Sequence, residues 1–455
     1  MSAPAPGRPP ARAPARVVIA GLSARAAAQS AVRAGYEVAA ADAFGDLDLA
    51  ACASVIPVPG AGARRYAAGA AARAASGVEA DAAAYVGGFE NHPRAVERLA
   101  AGRTLWGNPA AVLRRVRDPL ALARALRARG IRVPAVAAVA ARPAAAEARR
   151  GAGARAGEAR AVGRVAALAG AVAGAGTGAG PPPQLHDAAV AGAEPHHRVA
   201  VDTDPPPRSW LLKRRASGGG RGVAAWAAGD PAPRGAVLQE RIEGVAGSVA
   251  FVADGRRAVP FALSRQLVGE PEFGASGFVY CGSILAAAGD AQLDRDSELY
   301  AAAVALADAV TDAFALVGVN GVDFVARDGV PFPVEVNPRY SASMELAERA
   351  YGFGVFAAHA RACAGELPSF DLARARARAG AVGKAVVYAR RDVVLGDTRA
   401  WPGDPTVADV PHPGERVAAG RPLCTVFAEG RDAAACRAAL VRRAGAVYDA
   451  VEGRG

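Results

Sequence analysis

The chain has 455 residues, 52% of them hydrophobic, which suits two to four domains with real cores even though much of that content is alanine. Its formal net charge of +11 comes from arginines scattered through Ala-rich stretches, with neither a basic arm nor interleaved aromatic platforms, so small anionic substrates are expected and nucleic acid is not. Five distant cysteines without a CxxC pair, six histidines without ligand spacing and the lack of an 18-residue strongly apolar run argue against a disulfide frame, a zinc site and a membrane span, so the expected location is the cytoplasm.

Residues 1–15 are Ala, Pro, Gly and Arg with no apolar core and read as a disordered tail. A βαβ unit follows: a strand at 17–20, Gly21, a helix ending at Gly35, and a strand through Val38 to Asp42. Only Gly21 of a GxGxxG pattern is present, so a Rossmann-like scaffold without dinucleotide is favoured over a dinucleotide site. Another strand runs into Gly87-Gly88, a helix follows Asn91, and "TLWGNP" at 104–109 supplies a last short strand, giving a first domain over 16–114. An amphipathic helix then stops at Gly130, with Pro134 beyond it. From 141 to 208 large apolar side chains nearly vanish, and a mobile low-complexity insertion is expected because so little surface can be buried against the ordering entropy.

Order resumes at Trp210, with strands expected at 210–213, 223–226, 236–240 and 248–253 and a helix at 294–316. The text "GVNGVDFVARDGVPFPVEVNPRY" reads as a hairpin turning at Asp328-Gly329, followed by helices at 342–350 and 354–364. From Lys384 onward β-runs and Pro/Gly turns dominate before a helix at 431–449, and a small β-rich domain is expected over 376–455.

Two segments carry chemistry. The first, "WLLKRRASGGGRGV", holds Lys213 ahead of Ser217, Gly218, Gly219 and Gly220; the only other lysine in the chain is Lys384. Such glycines let backbone N–H groups close over phosphate oxygens beside a compact ammonium. The lysine precedes its glycines, which excludes a P-loop and a kinase loop. The second segment is the hairpin, where Glu335 and Asn337 are two residues apart and face one side of their strand, and the turn brings Asp323 toward them. Two carboxylates and an amide oxygen are hard ligands suited to Mg²⁺ held with substrate phosphates.

Together these segments resemble the ATP-grasp superfamily, as do "VLQERIEGVAGS" at 237–248 and the Rossmann-like start. The resemblance covers about 16–375, with the carbamoyl-phosphate synthetase large chain and biotin carboxylase as the nearest well-known architectures. It implies an α/β protein with a Rossmann-like pre-ATP-grasp domain, an α+β ATP-grasp domain pair at 115–375 with a lid at 209–253, and the β-rich C-terminal domain. It further implies that Lys213 contacts the α/β-phosphates, that the loop 217–222 covers the γ-phosphate, and that Gln239, Glu240 and Ile242 meet adenine. Asp323, Glu335 and Asn337 would bind two Mg²⁺ (or Mn²⁺) ions, and Arg339 would stabilise an acyl phosphate. The usual ribose-binding acid has no clear counterpart, Glu243 being the substitute, and the basic residue that often follows the helix-opening Asp is missing, since Pro119 follows Asp118.

On the substrate side, Arg265 is a candidate partner for a carboxylate or else a surface charge. Ser341, Ser343 and Glu345 face the reaction centre if their helix begins there, Ser341 alternatively serving as a helix N-cap. The expected activity is an ATP-dependent carboxylate–amine ligase using ATP and a divalent metal on small-molecule substrates, as a homodimer. Bicarbonate-using carboxylase or carbamoyl-phosphate chemistry and a non-catalytic ATP-binding regulator are the alternatives. "GGFENHP" with "NPRYSASMEL" is also similar to ATP-grasp proteins of pterin- and furan-type one-carbon cofactor pathways (tetrahydromethanopterin- and methanofuran-type), including tyramine–glutamate ligase.

Overall fold

A computed structural model describes residues 15–58, 66–139, 209–215, 218–285, 287, 290, 293 and 298–453. The insertion at 141–208, Ser217 and all but the last residue of the predicted tail lie outside the described residues.

The first domain alternates β1 (Arg16–Ala20), α1 (Arg25–Arg33), β2 (Glu37–Asp42), α2 (Leu47–Ala50), β3 (Ser54–Pro57), α3 (Ala68–Ser76), β4 (Ala82–Tyr85), α4 (Pro93–Ala100) and β5 (Thr104–Trp106). All its strands pair in parallel in the order β3, β2, β1, β4, β5. Strands buried on both faces must be apolar throughout, and β1, as RVVIA, has four of its five residues buried. The strand order reverses between β1 and β4, and the crevice at the carboxyl ends of strands at such a reversal is where open α/β sheets bind ligands. There a Cβ on Gly21 would fall 2.1 Å from Val86 Cγ2, so only glycine lets the two loops close together, joined by the Leu22 amide on the Gly87 carbonyl (2.7 Å).

Two helices, α5 (Ala110–Val116) and α6 (Pro119–Arg127), lead out of this domain. Asp118 starts α6 by accepting the Leu120 and Ala121 amides, and Pro119 takes the first helical position, where no N–H is needed. A four-stranded antiparallel sheet follows, from β6 (Val136–Ala138), β7 (Trp210–Arg214), β8 (Val223–Trp226) and β9 (Ala236–Glu240), ordered β6, β9, β7, β8.

The main sheet collects β10 (Val245–Asp254), β11 (Ala258–Val268), β12 (Tyr280–Leu285), β13 (Val317–Arg327) and β14 (Val330–Asn337). It is backed by α7 (Glu298–Phe314), α8 (Met344–Tyr351) and α9 (Val355–Cys363), with α10 (Leu372–Arg378) beyond. The chain closes with β15 (Ala381–Tyr388), β16 (Val393–Val394), β17 (Val407–Ala408), β18 (Arg416–Val417), β19 (Pro422–Gly430) and α11 (Ala433–Glu452). The β-rich C-terminal segment expected at 376–455 is joined to the main sheet. Strand β15 pairs with β12, and β19 and β17 follow, so one eight-stranded sheet runs β14, β13, β10, β11, β12, β15, β19, β17. This edge pairing satisfies the open backbone groups of β12 by extending its sheet.

Candidate active site

The hairpin β13–β14 turns at Asp328 and Gly329 with φ of 52° and 71°, the two left-handed residues a two-residue hairpin favours. Its register pairs Asp323 with Glu335 and Gly321 with Asn337, then shifts so that Phe324 pairs with Pro333. Val334 is thus the extra residue of a bulge, and its carbonyl leaves the ladder. That carbonyl accepts from Lys213 Nζ at 3.3 Å and from Gln239 Nε2 at 3.4 Å. Lys213, on β7, also donates to Gln239 Oε1 at 3.0 Å. Loss of water lowers the Lys213 pKa, against the opposing pull of Glu335.

A cavity of about 670 Å³ lies between the two antiparallel sheets, within the range of cofactor pockets. Lys213, Gly219 and Gly220 line it from the β7–β8 side; Gln239, Glu240, Ile242 and Glu243 line the strand leaving β9; Asp323, Glu335, Asn337 and Arg339 line the hairpin side. Ser341 and Ser343 reach it as well. The glycine loop lies directly on the segment before β12: a Cβ on Gly220 would sit 1.6 Å from the Phe278 carbonyl oxygen, and the Tyr280 amide donates to Gly219 O at 3.1 Å. A Cβ on Gly218 would come 3.9 Å from Glu90 Oε1.

Around the carboxylates, Asp323 accepts from Gln266 Nε2 and from Asn337 Nδ2, each at 2.8 Å. Burial pushes the Asp323 carboxyl up to about 6, and the like charge of Glu335 adds to the rise, against the pull of Asn337, Arg339 and Gln266. Asp323, Glu335 and Asn337 supply a hard oxygen set of the kind that fits a divalent cation. Among the described residues no three His, Cys, Asp or Glu side chains form a group that could hold a metal ion, and the third member of this set is an amide.

Arg339 donates to Asn337 Oδ1 at 3.1 Å and to Glu90 Oε1 at 2.8 Å. Glu90 comes from the first domain, just beyond β4; burial alone would raise its pKa, but the Arg339 charge and hydrogen bond hold it at about 2. Tyr85 and Asn108 tie the same domains together through the Pro338 carbonyl, at 3.2 Å each.

Two sequence expectations are corrected. Gln266 lines the cavity, so Arg265, its neighbour on β11, faces the other side of the sheet, toward Cys436 of α11; alternation along the strand decides this. Glu345 does not face the reaction centre. Helix α8 begins at Met344, turning Glu345 toward α1 and β15, where it accepts from Arg25 at 2.6 Å and from Lys384. Ser343, not Ser341, takes the N-cap position of α8, without a side-chain cap.

Three site residues escaped the sequence expectations. Arg117 donates to Glu335 Oε1 at 2.5 Å and to the Val336 carbonyl at 2.7 Å. The basic residue missing after Asp118 stands immediately before it, and the rest of "RDP" was its only signal. Gln266 was passed over for its charged neighbour, and Glu90 lay unassigned within "GGFENHP".

Residues 189–343 match the ATP-grasp domain family model. The chain therefore carries an ATP-grasp domain. No curated protein matches it by sequence. Among solved structures, the ADP complex of N5-carboxyaminoimidazole ribonucleotide synthetase has a TM-score of 0.60 at 16% identity, covering 96% of this chain and 98% of its own. The L-amino acid ligase from Bacillus licheniformis has a TM-score of 0.58 at 12% identity, with 96% and 98% covered. The biotin carboxylase domain of a single-chain bacterial carboxylase has a TM-score of 0.60 at 16% identity, with 96% and 89% covered. At these identities the likeness is one of ATP-grasp architecture over nearly the whole chain. No helix among the described residues is long and apolar enough to cross a membrane.

Proposed function

We propose that the protein is an ATP-dependent carboxylate–amine ligase working through an acyl phosphate. The observation carrying this reading is a shared wall: Tyr280, Arg339, Ser341 and Ala342 line both the 670 Å³ cavity and a second one of about 270 Å³, so two compartments meet at Arg339. ATP occupies the larger compartment, with Lys213 on the α/β-phosphates, the loop at 218–220 over the γ-phosphate and Gln239 to Ile242 at the adenine edge. Glu243 takes the ribose side. Asp323, Glu335 and Asn337 hold Mg²⁺, which supplies charge neutralisation at the phosphates when bound. Arg339, held by Glu90, aims a fixed cation at the transferring phosphoryl group, so the carboxylate substrate is phosphorylated at the shared wall. The amine then attacks the acyl carbon and phosphate leaves.

The resemblance of "GGFENHP" and "NPRYSASMEL" to ATP-grasp proteins of pterin- and furan-cofactor pathways makes amide-bonded precursors of such cofactors the first substrates to try. The test is ADP release across paired acids and amines, with bicarbonate as a separate arm. Release that needs both an acid and an amine is expected, and Glu335→Ala should lower it about 10³-fold or more with an unchanged circular dichroism spectrum. ADP release driven by bicarbonate alone, or wild-type rates in the Glu335→Ala protein, would overturn the ligase reading.

A further inference from the structure

The second cavity is assembled from the loops after β1, β2 and β4, the starts of α1 and β12, the segment after β14, and the C-terminal strands with their connections. Six carboxylates gather in and behind its wall, and nearly all are satisfied; Glu415 accepts the His412 amide. Asp42 accepts the Ala24, Phe44 and Gly45 amides, and Asp48 accepts those of Asp409 and Val410. Asp409 takes Arg25 through both oxygens, each at 3.0 Å, and Glu345 takes Arg25 and Lys384. The three cations of the wall are therefore already engaged, Arg339 by Glu90. Asp46 is the exception. It is 5% exposed, lines the cavity, and its Oδ2 has no hydrogen-bond partner. It stands at the head of α2 without capping it. A buried polar atom left unpaired costs about 1–3 kcal/mol, more when charged, and such a cost is offset when a ligand supplies the missing partner.

We propose that this cavity binds the acceptor as an ammonium ion, with Asp46 as its counter-ion and an apolar body lying against Leu22 and Phe44. Six carboxylates against three cations leave a negative excess that favours a cation over a neutral or anionic guest. The like charges of Asp409, Asp42 and Asp48 surround Asp46, and burial and those neighbours raise its pKa well above the usual range; an incoming ammonium relieves both. Leu22 and Phe44, 42% and 37% exposed, are two of the few large apolar side chains left in water, and both line the cavity. The volume of about 270 Å³ suits a guest of on the order of ten heavy atoms. The word acceptor rests on the ligase reading; the ammonium site itself does not.

Benzylamine and benzyl alcohol, equal in size and differing in charge, test it by calorimetry on the full chain at pH 7 without nucleotide. Benzylamine should bind saturably and at least tenfold more tightly than the alcohol. Asp46→Asn should lose at least tenfold for benzylamine only, while its melting temperature is no lower than wild type, because the change removes an unpartnered carboxylate. Equal affinity for the two probes, no saturable benzylamine binding, or full benzylamine affinity in Asp46→Asn would overturn the site, and a lowered melting temperature with unchanged binding would make Asp46 structural. These isotherms need no turnover, so a failure of amine-dependent ADP release leaves them standing. Conversely, amine-dependent ADP release whose KM for the amine is unchanged by Asp46→Asn overturns this cavity as the acceptor's place and leaves the ligase reading intact.

Discussion

The two cavities share a wall, yet they are built in opposite ways. In the larger one the central groups sit on regular strands: Lys213 on β7, Asp323 on β13, Glu335 and Asn337 on β14. Register alone brings the last three together, and one bulge at Val334 turns a carbonyl toward the lysine. The smaller one is made of loops and buried ion pairs joining residues as much as 384 positions apart, as in Arg25 with Asp409. Each cavity holds one of the chain's two lysines. Lys213 makes hydrogen bonds to a neutral amide and a carbonyl, whereas Lys384 is bound to the carboxylate of Glu345. A lysine without a counter-ion is available to an anionic ligand; one with a buried carboxylate is a fastening between segments.

Replacing that free lysine tests the contrast most severely. Lys213→Ala should reduce kcat/KM for ATP by about 10²–10³, the scale for losing one preorganised donor to a transferring phosphoryl group. Lys213→Arg should recover little of it, because the planar guanidinium cannot occupy the place of the ammonium between Gln239 and Val334. Steady-state kinetics over ATP concentration reads both, and an arginine variant at wild-type rates would show that only charge is needed at position 213.

A smaller effect is expected where the shared wall is held from the first domain. Glu90 touches Arg339 and the Gly88 amide, at 2.8 and 2.6 Å, and lines neither cavity, so it is a positioning residue. Glu90→Gln keeps a hydrogen-bond acceptor but removes the charge, and should lower kcat about 10-fold to 100-fold with the KM for ATP unchanged. A merely structural role would instead lower the melting temperature and leave kcat of the folded fraction intact.

The same contrast explains what the sequence could disclose. Asp323, Glu335 and Asn337 were legible because a hairpin has a two-residue side-chain period and its turn, Asp-Gly, is visible in the text. The strands at 223–226 and 236–240 were legible for the same reason, as short apolar runs between Gly and Pro turns. Arg265 and Glu345 were misplaced because burial and charge say nothing about which face a residue takes until register and the first helical turn are known. How the β-rich C-terminal segment attaches was not legible, because pairing of β12 with β15 spans about a hundred positions and leaves no local trace. Asp46 carried no signal at all, since an acid in "FGDLD" is ordinary in a loop, and only the cavity above it shows that it lacks a partner.

No effect on turnover is expected outside both cavities, where a pH-dependent stability measures how firmly the first domain is docked. His359 on α9 accepts the Val319 amide at Nδ1 (2.9 Å), so its Nε2 carries the proton and donates to the Trp106 carbonyl (3.2 Å). It thereby bridges β13 of the main sheet to the last strand of the parallel one. Burial lowers its pKa from 6.5 to about 4. The folded state therefore binds fewer protons than the unfolded chain between those values, so this contribution is fully present above pH 6.5 and is lost as pH falls toward 4. The full span corresponds to about 3 kcal/mol, at about 1.4 kcal/mol for each pH unit. His359→Gln can still accept from Val319 and donate to Trp106 but does not titrate. Urea unfolding midpoints at pH 7, 5.5 and 4 should fall more steeply for wild type than for the variant. Parallel slopes would mean that His359 takes up its proton in place and that the Val319 bond does not hold the two sheets together.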